Sequence, residues 1–451
     1  MNAANTSSPR LRRRAASAAA GLAIVAYVFA ATAFATRADE FQSGIPETSI
    51  ATSLPPALAD PGGVRKDLAN RGILVGANYI GEVFGVAAGG LNRDTHYDGR
   101  LELWFDADLN ALAGWRGLTF HANGYQIHGS SITAESLGAL MPVSFIEATP
   151  ATRLFELYLE QSLADGMVTI RAGQIAADSE FIISDGAAAF LNGTWGWPSE
   201  TASDLPNGGP AYPLATPGIR IAITPHETYG VMAAVYNGDV VDDCPPGDDP
   251  QRCNPHGLDF PFGDDALYMA EGFRKFDVRG RPGRIKFGGW LHTGDFENIA
   301  NPSMIESGNF GLYAIWDQQI FKLDNDGRNI AVFARIMGAP DDRNQVDFYA
   351  EGGVTVTGPF STRPNDLLGI GFAYTGISQS AQIADREAGQ SIVRDYEALL
   401  EVSYTANLVS GFAVQPDIQY FWNPGGRVPD ASGTRPVENA LVLGLRSTIN
   451  Y

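Results

Sequence analysis

Ionisable residues recur at alternate positions of short runs, and that spacing limits the chemistry they can do. Glu102 and Asp106 sit either side of Trp104, and Glu156 and Glu160 either side of Tyr158. Arg171, Arg220, Arg284, Lys286 and Arg335 follow on later runs, then Asp347, Glu351, Glu397, Glu401 and Asp417. Residues two apart on an extended chain point to one side. Each run therefore presents a row of carboxylates or guanidinium groups suited to charge-assisted hydrogen bonds with water and polar solutes. Nothing here resembles a catalytic set. The six histidines are scattered, and no G-x-S-x-G, H-E-x-x-H or strand-following phosphate loop occurs. LDNDGRN at 323–329, counted from Asp324, lacks the glycine at the sixth position and the glutamate at the twelfth that a calcium loop needs, so it reads as a turn. Cys244 and Cys253 have only His256 near them, too few soft ligands for a metal. The expected chemistry is non-covalent, with no cofactor and no metal.

The elements that carry these rows read as strands. In LFELYLEQSLADGMVTIRAGQ, residues 154–174, Phe155, Leu157 and Leu159 share one parity and Glu156, Tyr158 and Glu160 the other. After Ala164-Asp165-Gly166, Val168, Ile170 and Ala172 oppose Thr169 and Arg171. A period of two marks a strand with two unlike faces. The same division recurs along the chain: Leu101, Leu103 and Phe105 oppose Glu102 and Asp106; Ile219, Ile221 and Ile223 oppose Arg220. Ile285, Phe287 and Leu291 oppose Arg284 and Lys286; Leu441, Leu443 and Leu445 oppose Arg446. Sixteen such runs follow one another from 73–84 to 439–451. Their connections alternate: long at 85–98, 128–151 and 175–216, short around 113–114, 164–166 and 225–227. The rhythm blurs between 319 and 363 and returns with long loops at 377–394 and 422–438. A soluble sandwich has no reason to gather its long loops at one end, whereas outer-membrane barrels do. A charge facing mid-bilayer lipid costs about 2–4 kcal/mol for Arg or Lys, which accounts for the uncharged parity. The predicted fold is an all-β, transmembrane antiparallel barrel of about 16 strands.

Composition agrees. The apolar fraction of 45% and mean hydropathy of −0.08 exclude a polytopic helical membrane protein but not a barrel with a polar lumen. Arg10, Arg12, Arg13 and Arg14 precede the alanine-rich run 15–35 and its A-x-A spacings, which predicts an export signal over 1–38. Residues 39–72 form a periplasmic lead-in with a short helix around 61–73, and 73–451 the barrel. Two cysteines closing a short Pro/Gly/Asp loop in an exported chain predict a Cys244–Cys253 disulfide. Removing residues 1–38, with five arginines and no acid, takes the formal charge from −20 to −25. Such a chain repels nucleic acid.

Several stretches are similar to the carbohydrate-selective porin family, the OprB-like porins of Gram-negative outer membranes. They include VRKDLANRGILVGANYIGE, YDGRLELWFDADLNALAGWRGLTFHANGYQIHG, SEFIISDGAAAFLNGTWGWPSE, GGPAYPLATPGIRI and the closing ALVLGLRSTINY. The resemblance runs from about residue 61 to the C-terminus and implies a sixteen-stranded barrel in the outer membrane that admits sugars by passive diffusion. The final strand, ending on Tyr451, looks like the signal read by the barrel-insertion machinery. Lipid and lipopolysaccharide are the expected surroundings, small carbohydrates the expected permeants. Whether the chain forms a homotrimer stays open.

On this reading the 175–216 segment is the constriction loop, folded into the lumen. Its Trp195 and Trp197 would offer aromatic faces to pyranose rings, with Phe190 and Tyr212 nearby. Glu102, Asp106, Glu156, Glu160, Arg171, Arg220, Arg284, Lys286 and Arg335 would line the pore, a basic arc facing acidic arcs across it. The opposing possibilities are that the tryptophans wedge the loop against the wall and that the charges pair off. The rival functions are a low-selectivity porin, a membrane-embedded barrel enzyme and a soluble exported sandwich that binds glycans.

Overall fold

The computed structural model describes residues 53–451, apart from Asp243, Pro246, Asp264, Asn325, Asp326 and Ala431. The expected export signal lies outside the described residues. Sixteen strands are present: β1 (Ile73–Gly90), β2 (Thr95–Asp108), β3 (Leu118–Gly129), β4 (Ala151–Leu163), β5 (Val168–Ile175), β6 (Thr216–His226), β7 (Tyr229–Asn237) and β8 (Ala266–Asp277). They continue with β9 (Pro282–Glu297), β10 (Ile305–Lys322), β11 (Asn329–Gly338), β12 (Val346–Thr357), β13 (Leu367–Ile377), β14 (Tyr396–Val409), β15 (Phe412–Trp422) and β16 (Glu438–Asn450). Each pairs antiparallel with its sequence neighbours, and β1 pairs with β16, so the sheet closes without an edge. Closure pairs every inner ladder within the sheet, as hydrocarbon surroundings demand of backbone amides.

The faces divide as the alternation predicts. Ile221 and Leu443 are 42% and 46% exposed on the outer surface, with Leu103, Phe287, Ile336 and Leu445. Their lumen-side neighbours Arg220, Lys286 and Arg335 are buried. The apolar parity thus faces outward, and there is no dry layer between two sheets.

Three expectations need correction. The first connection is not a long loop: β1 runs to Gly90 and β2 starts at Thr95, because the β1–β16 ladder continues through irregularities at Val86/Ala88/Gly90. Phe155 does not share the outward face of Leu157 and Leu159. The β3–β4 register slips between Ala122 and Gly124, where Leu157 and Leu154 are the successive partners. That bulge turns Phe155 inward, buried against Tyr125 at a ring distance of 5.0 Å. The lead-in helix is shorter than 61–73, spanning Val64–Ala69, where Asp60 accepts from the Arg65 and Lys66 amides at 2.9 and 3.0 Å. The blurred rhythm has a structural cause: the β11–β12 connection, 339–345, is short on the long-loop rim, while 358–366 is long on the other. Cys244 and Cys253 are disulfide-bonded.

Candidate pore constriction

The connection between β5 and β6, residues 176–215, folds into the lumen, and carboxylates on the inner wall hold it there. Glu271 on β8 accepts from the Ile182 amide at 3.0 Å, and Asp317 on β10 from Ser184 Oγ and Gly186 N at 2.7 and 3.0 Å. Glu401 on β14 accepts three donors: Leu191 N (2.6 Å), Asn192 N (3.3 Å) and the Trp195 indole N–H (2.6 Å). The β3–β4 loop, residues 130–150, docks beside it. There Glu397 accepts from Leu140 N and Met141 N at 2.8 and 2.7 Å, and the Phe145 amide donates to Leu191 O at 2.9 Å. Within that loop Glu147 gathers Thr133 Oγ1, Thr133 N and Ser144 N at 2.6, 3.1 and 3.1 Å.

These contacts decide the fate of several sequence-selected residues. Arg335 and Glu351 are fully buried, paired at 2.8 Å, and Arg335 also donates to the carbonyls of Ile182, Thr194 and Trp195. Arg335 is therefore a loop anchor, not a pore-lining group. Lys286 is likewise buried, paired with Glu271 at 3.2 Å. Glu156 is buried and accepts from Ala176 N at 3.0 Å, holding the start of the loop. Trp195 and Trp197 are 3% and 7% exposed. Trp195 stacks on Phe190 at 4.5 Å and meets Phe333 at 5.8 Å, while Trp197 donates to Gly208 O at 2.9 Å. Both tryptophans wedge the loop against the wall, and their faces are not open to a sugar. The acidic arc expected on the late strands is also covered: Glu351, Glu397, Glu401 and Asp417 lie beneath the two loops. Glu397 and Glu401 are engaged by loop amides, Glu351 by Arg335 and Asp417 by Gln419, so this arc does not drive a field across the lumen.

Of the remaining predicted residues, all but Arg284 gather on one side. Glu160 accepts from Arg171 Nε at 3.0 Å and Arg220 Nη2 at 2.7 Å, and Glu180 of the in-folded loop pairs with both arginines. Arg171 lies 4.0 Å over the Tyr158 ring, which stacks on His121 at 4.8 Å; His121 bonds Asp106 at 2.6 Å. Glu102 accepts from Asn123 at 2.9 Å and lies 3.4 Å from Arg100, whose guanidinium sits 4.7 and 5.4 Å over Tyr125 and Tyr212. Arg284 stands apart, paired with Asp185 of the loop. Arg446 on β16, paired with Glu82 and 3.2 Å from Ser144 Oγ, completes the row.

Between this wall and the loops is a cavity of ≈ 240 Å³ bounded by Phe145, Asp178, Ile183, Ala188, Trp195 and Arg446. Asp178 accepts from Tyr212 N at 2.8 Å, but its Oδ1 is buried without a partner. Burial pushes this carboxyl up to about 7. Sequence pattern pointed to Arg446 through its strand parity. Asp178, Glu180 and Phe145 sit on irregular loops, where no periodicity marks the side that meets solvent.

Residues 92–451 match the family described as carbohydrate-selective porin, OprB family. The chain belongs to the carbohydrate-selective porins. Porin B of Pseudomonas aeruginosa is 23% identical to this porin over 442 residues, covering 86% of this chain and 90% of its own. The putative porin QuiX of Acinetobacter baylyi is 22% identical over 424 residues, covering 87% and 92%. Among solved structures, the high-pH structure of Pseudomonas putida OprB matches with a TM-score of 0.76 at 21% identity, covering 87% of this chain and 97% of that one. The low-pH structure of the same protein matches at 0.55 and 17% identity, covering 87% and 97%. This porin is an outer-membrane channel for the passive, selective diffusion of carbohydrates.

Proposed function

We propose that sugars cross this porin along the wall formed by β16, β1, β2, β5 and β6, where Arg446 and Arg171 meet the edge of the in-folded loop and the buried Arg100 and Arg220 stand behind them. The observation that carries this reading is the pairing: these guanidiniums stand against Glu82, Glu102, Glu160 and Glu180. Alternating cations and anions give little net field for an ion to follow. They do give adjacent donors and acceptors, and vicinal hydroxyls, each both donor and acceptor, match such a lining. Phe145, at the edge of the narrow cavity, supplies an apolar contact for sugar C–H groups. Since every arginine already has a partner, binding at each step is weak and the solute moves on, as conduction requires.

The rim with the longer loops faces the cell exterior on this reading. Both ends of the barrel lie on the opposite rim, where Leu54 N donates to Asn450 O at 2.9 Å, consistent with export of the N-terminus into the periplasm. Lipopolysaccharide would then surround the outer rim, and β16 would present the insertion signal.

Planar-bilayer recordings test the path. Glucose and maltose should reduce ion current through the purified porin. Arg171→Gln should weaken that block about fivefold, the effect of losing roughly 1 kcal/mol of hydrogen bonding. Arg220 remains to neutralise Glu160 and Glu180 in that variant, so the wall stays intact. Absence of block by any sugar would favour the low-selectivity porin instead.

A further inference from the structure

A second, larger cavity of ≈ 510 Å³ opens on the long-loop rim, away from the arginine wall. It lies over the upper ends of β7 to β10 and has carboxylates from separate segments: Asp204 of the in-folded loop, Asp239 and Asp265 at the two ends of the β7–β8 connection, and Asp295 and Glu297 of β9. Its cations are already engaged. Arg343 is bound to Asp342 at 2.8 Å and lies 3.5 Å from Glu306. His292 bonds Gly238 O through Nε2 at 2.9 Å and accepts from Gly294 N at Nδ1 at 3.0 Å. Among the described residues no cation pairs with Asp239, Asp295 or Glu297.

Asp204 turns this acidic patch into a site. The residue is 7% exposed, its Oδ1 accepts from Val346 N at 3.2 Å, and its Oδ2 has no partner. Behind it Glu200 is fully buried, with the Trp290 indole N–H as its neighbouring donor and no cation beside it. The structure makes room for this group: a Cβ at Gly311 would stand 2.6 Å from Glu200 Oε1. Burial of two carboxyls with no cation beside them is costly unless a counter-charge arrives. A bare metal ion does not fit, because among the described residues no group of three or more His, Cys, Asp or Glu could hold one. The carboxylates are spread around a space of small-molecule size. Ser203 and the polar rim can meet hydroxyls, while Leu205 and Phe296 offer apolar surface.

We propose that this vestibule cavity binds an amine-bearing saccharide, with the ammonium group drawn in by the combined field of Asp204, Asp239, Asp295 and Glu297. The ammonium supplies the charge that the buried acids lack. The hydroxyls and C–H faces meet the rest of the lining. Burial, with the neighbouring Glu200, holds the Asp204 carboxyl well above its ordinary range, so arrival of the cation draws its proton off. The site concentrates cationic sugars above the constriction, and it stands apart from the arginine-wall reading because binding is measured without permeation.

Titration calorimetry on the purified, folded porin tests it, with glucosamine, N-acetylglucosamine, glucose and putrescine as probes. Glucosamine should bind about tenfold more tightly than N-acetylglucosamine or glucose, the effect of one well-formed charged contact. Putrescine, with charge but no hydroxyls, should be weaker than glucosamine. The double variant Asp295→Asn/Glu297→Gln, at exposed rim positions that leave the barrel fold untouched, should remove most of the preference, and Asp204→Asn the remainder. Equal binding of glucosamine and N-acetylglucosamine, or glucosamine affinity unchanged in the double variant, would overturn the proposal. So would putrescine matching glucosamine, which leaves an amine site with no saccharide character. Displacement of glucosamine by micromolar calcium would make it a metal site and overturn it equally.

Discussion

A guanidinium that lies 4.0 Å over a tyrosine ring while two carboxylates hold its nitrogens has little freedom left, and Arg171 is in that position. Held so, it meets a passing hydroxyl without first paying rotamer entropy. Asp178 is the opposite case: a carboxyl at the narrow cavity with one oxygen out of solvent and unbonded. Its pKa, raised from 3.8 to about 7 by burial, makes its charge switch near neutrality. Below about 7 the group is neutral; above it the constriction gains one negative charge. The cation-to-anion permeability ratio, read from reversal potentials in a salt gradient, should therefore rise between pH 6 and 8. Asp178→Asn should flatten that rise, and an unchanged titration would assign it to other groups. The same shift bears on stability with a definite sign. Between 3.8 and about 7 the unfolded carboxyl ionises while the folded one keeps its proton, so folding becomes less favourable as pH rises through that window.

At the scale of elements, the in-folded loop is a passenger on wall carboxylates. Glu401 alone receives two backbone amides and an indole N–H. Each donor stranded by Glu401→Ala costs about 1–3 kcal/mol. The variant should keep its strand content by circular dichroism but show larger single-channel conductance and weaker sugar block. Conductance equal to wild type would mean the loop is held chiefly by Arg335 and the Phe190–Trp195 stack. These contacts also explain what the amino-acid sequence discloses and what it hides. Every strand keeps one neighbour on each face along its length, lipid outside and lumen or loop inside, so Ile219, Ile221 and Ile223 against Arg220 reveal both the strand and its orientation. The partners of the lumen face are another matter. Glu401 lies 210 residues from Leu191, and nothing local distinguishes a carboxylate meeting water from one meeting a docked loop. That is why Arg335, Lys286, Trp195 and Trp197 read as pore lining yet are packing, and why Asp178 and Phe145 went unmarked. Phe155 misled for a related reason: a bulge changes its side without disturbing the alternation around it.

For the molecule as a whole, the decisive property is that its apolar surface faces outward while charged side chains, many of them in ion pairs, line the inside. A soluble protein with Leu103, Phe287, Leu312 and Leu445 about half or more exposed would aggregate. In a bilayer the same residues drive insertion, and the closed ladder leaves no backbone edge to hydrate. The two-sided arrangement predicts a sharp positional asymmetry for added charge. Ile221, at the middle of β6 and 42% exposed, faces the hydrocarbon belt. Ile221→Arg should lower folding stability in lipid vesicles by about 2–4 kcal/mol. Val278 is as exposed, at 46%, but lies in the short β8–β9 turn. Val278→Arg should cost no more than about 0.5 kcal/mol, the usual range for surface substitutions. Denaturant titration of vesicle-inserted protein, read by tryptophan fluorescence, measures both. Equal costs at the two positions would mean that Ile221 meets water, and the outward apolar face would then need another explanation than lipid.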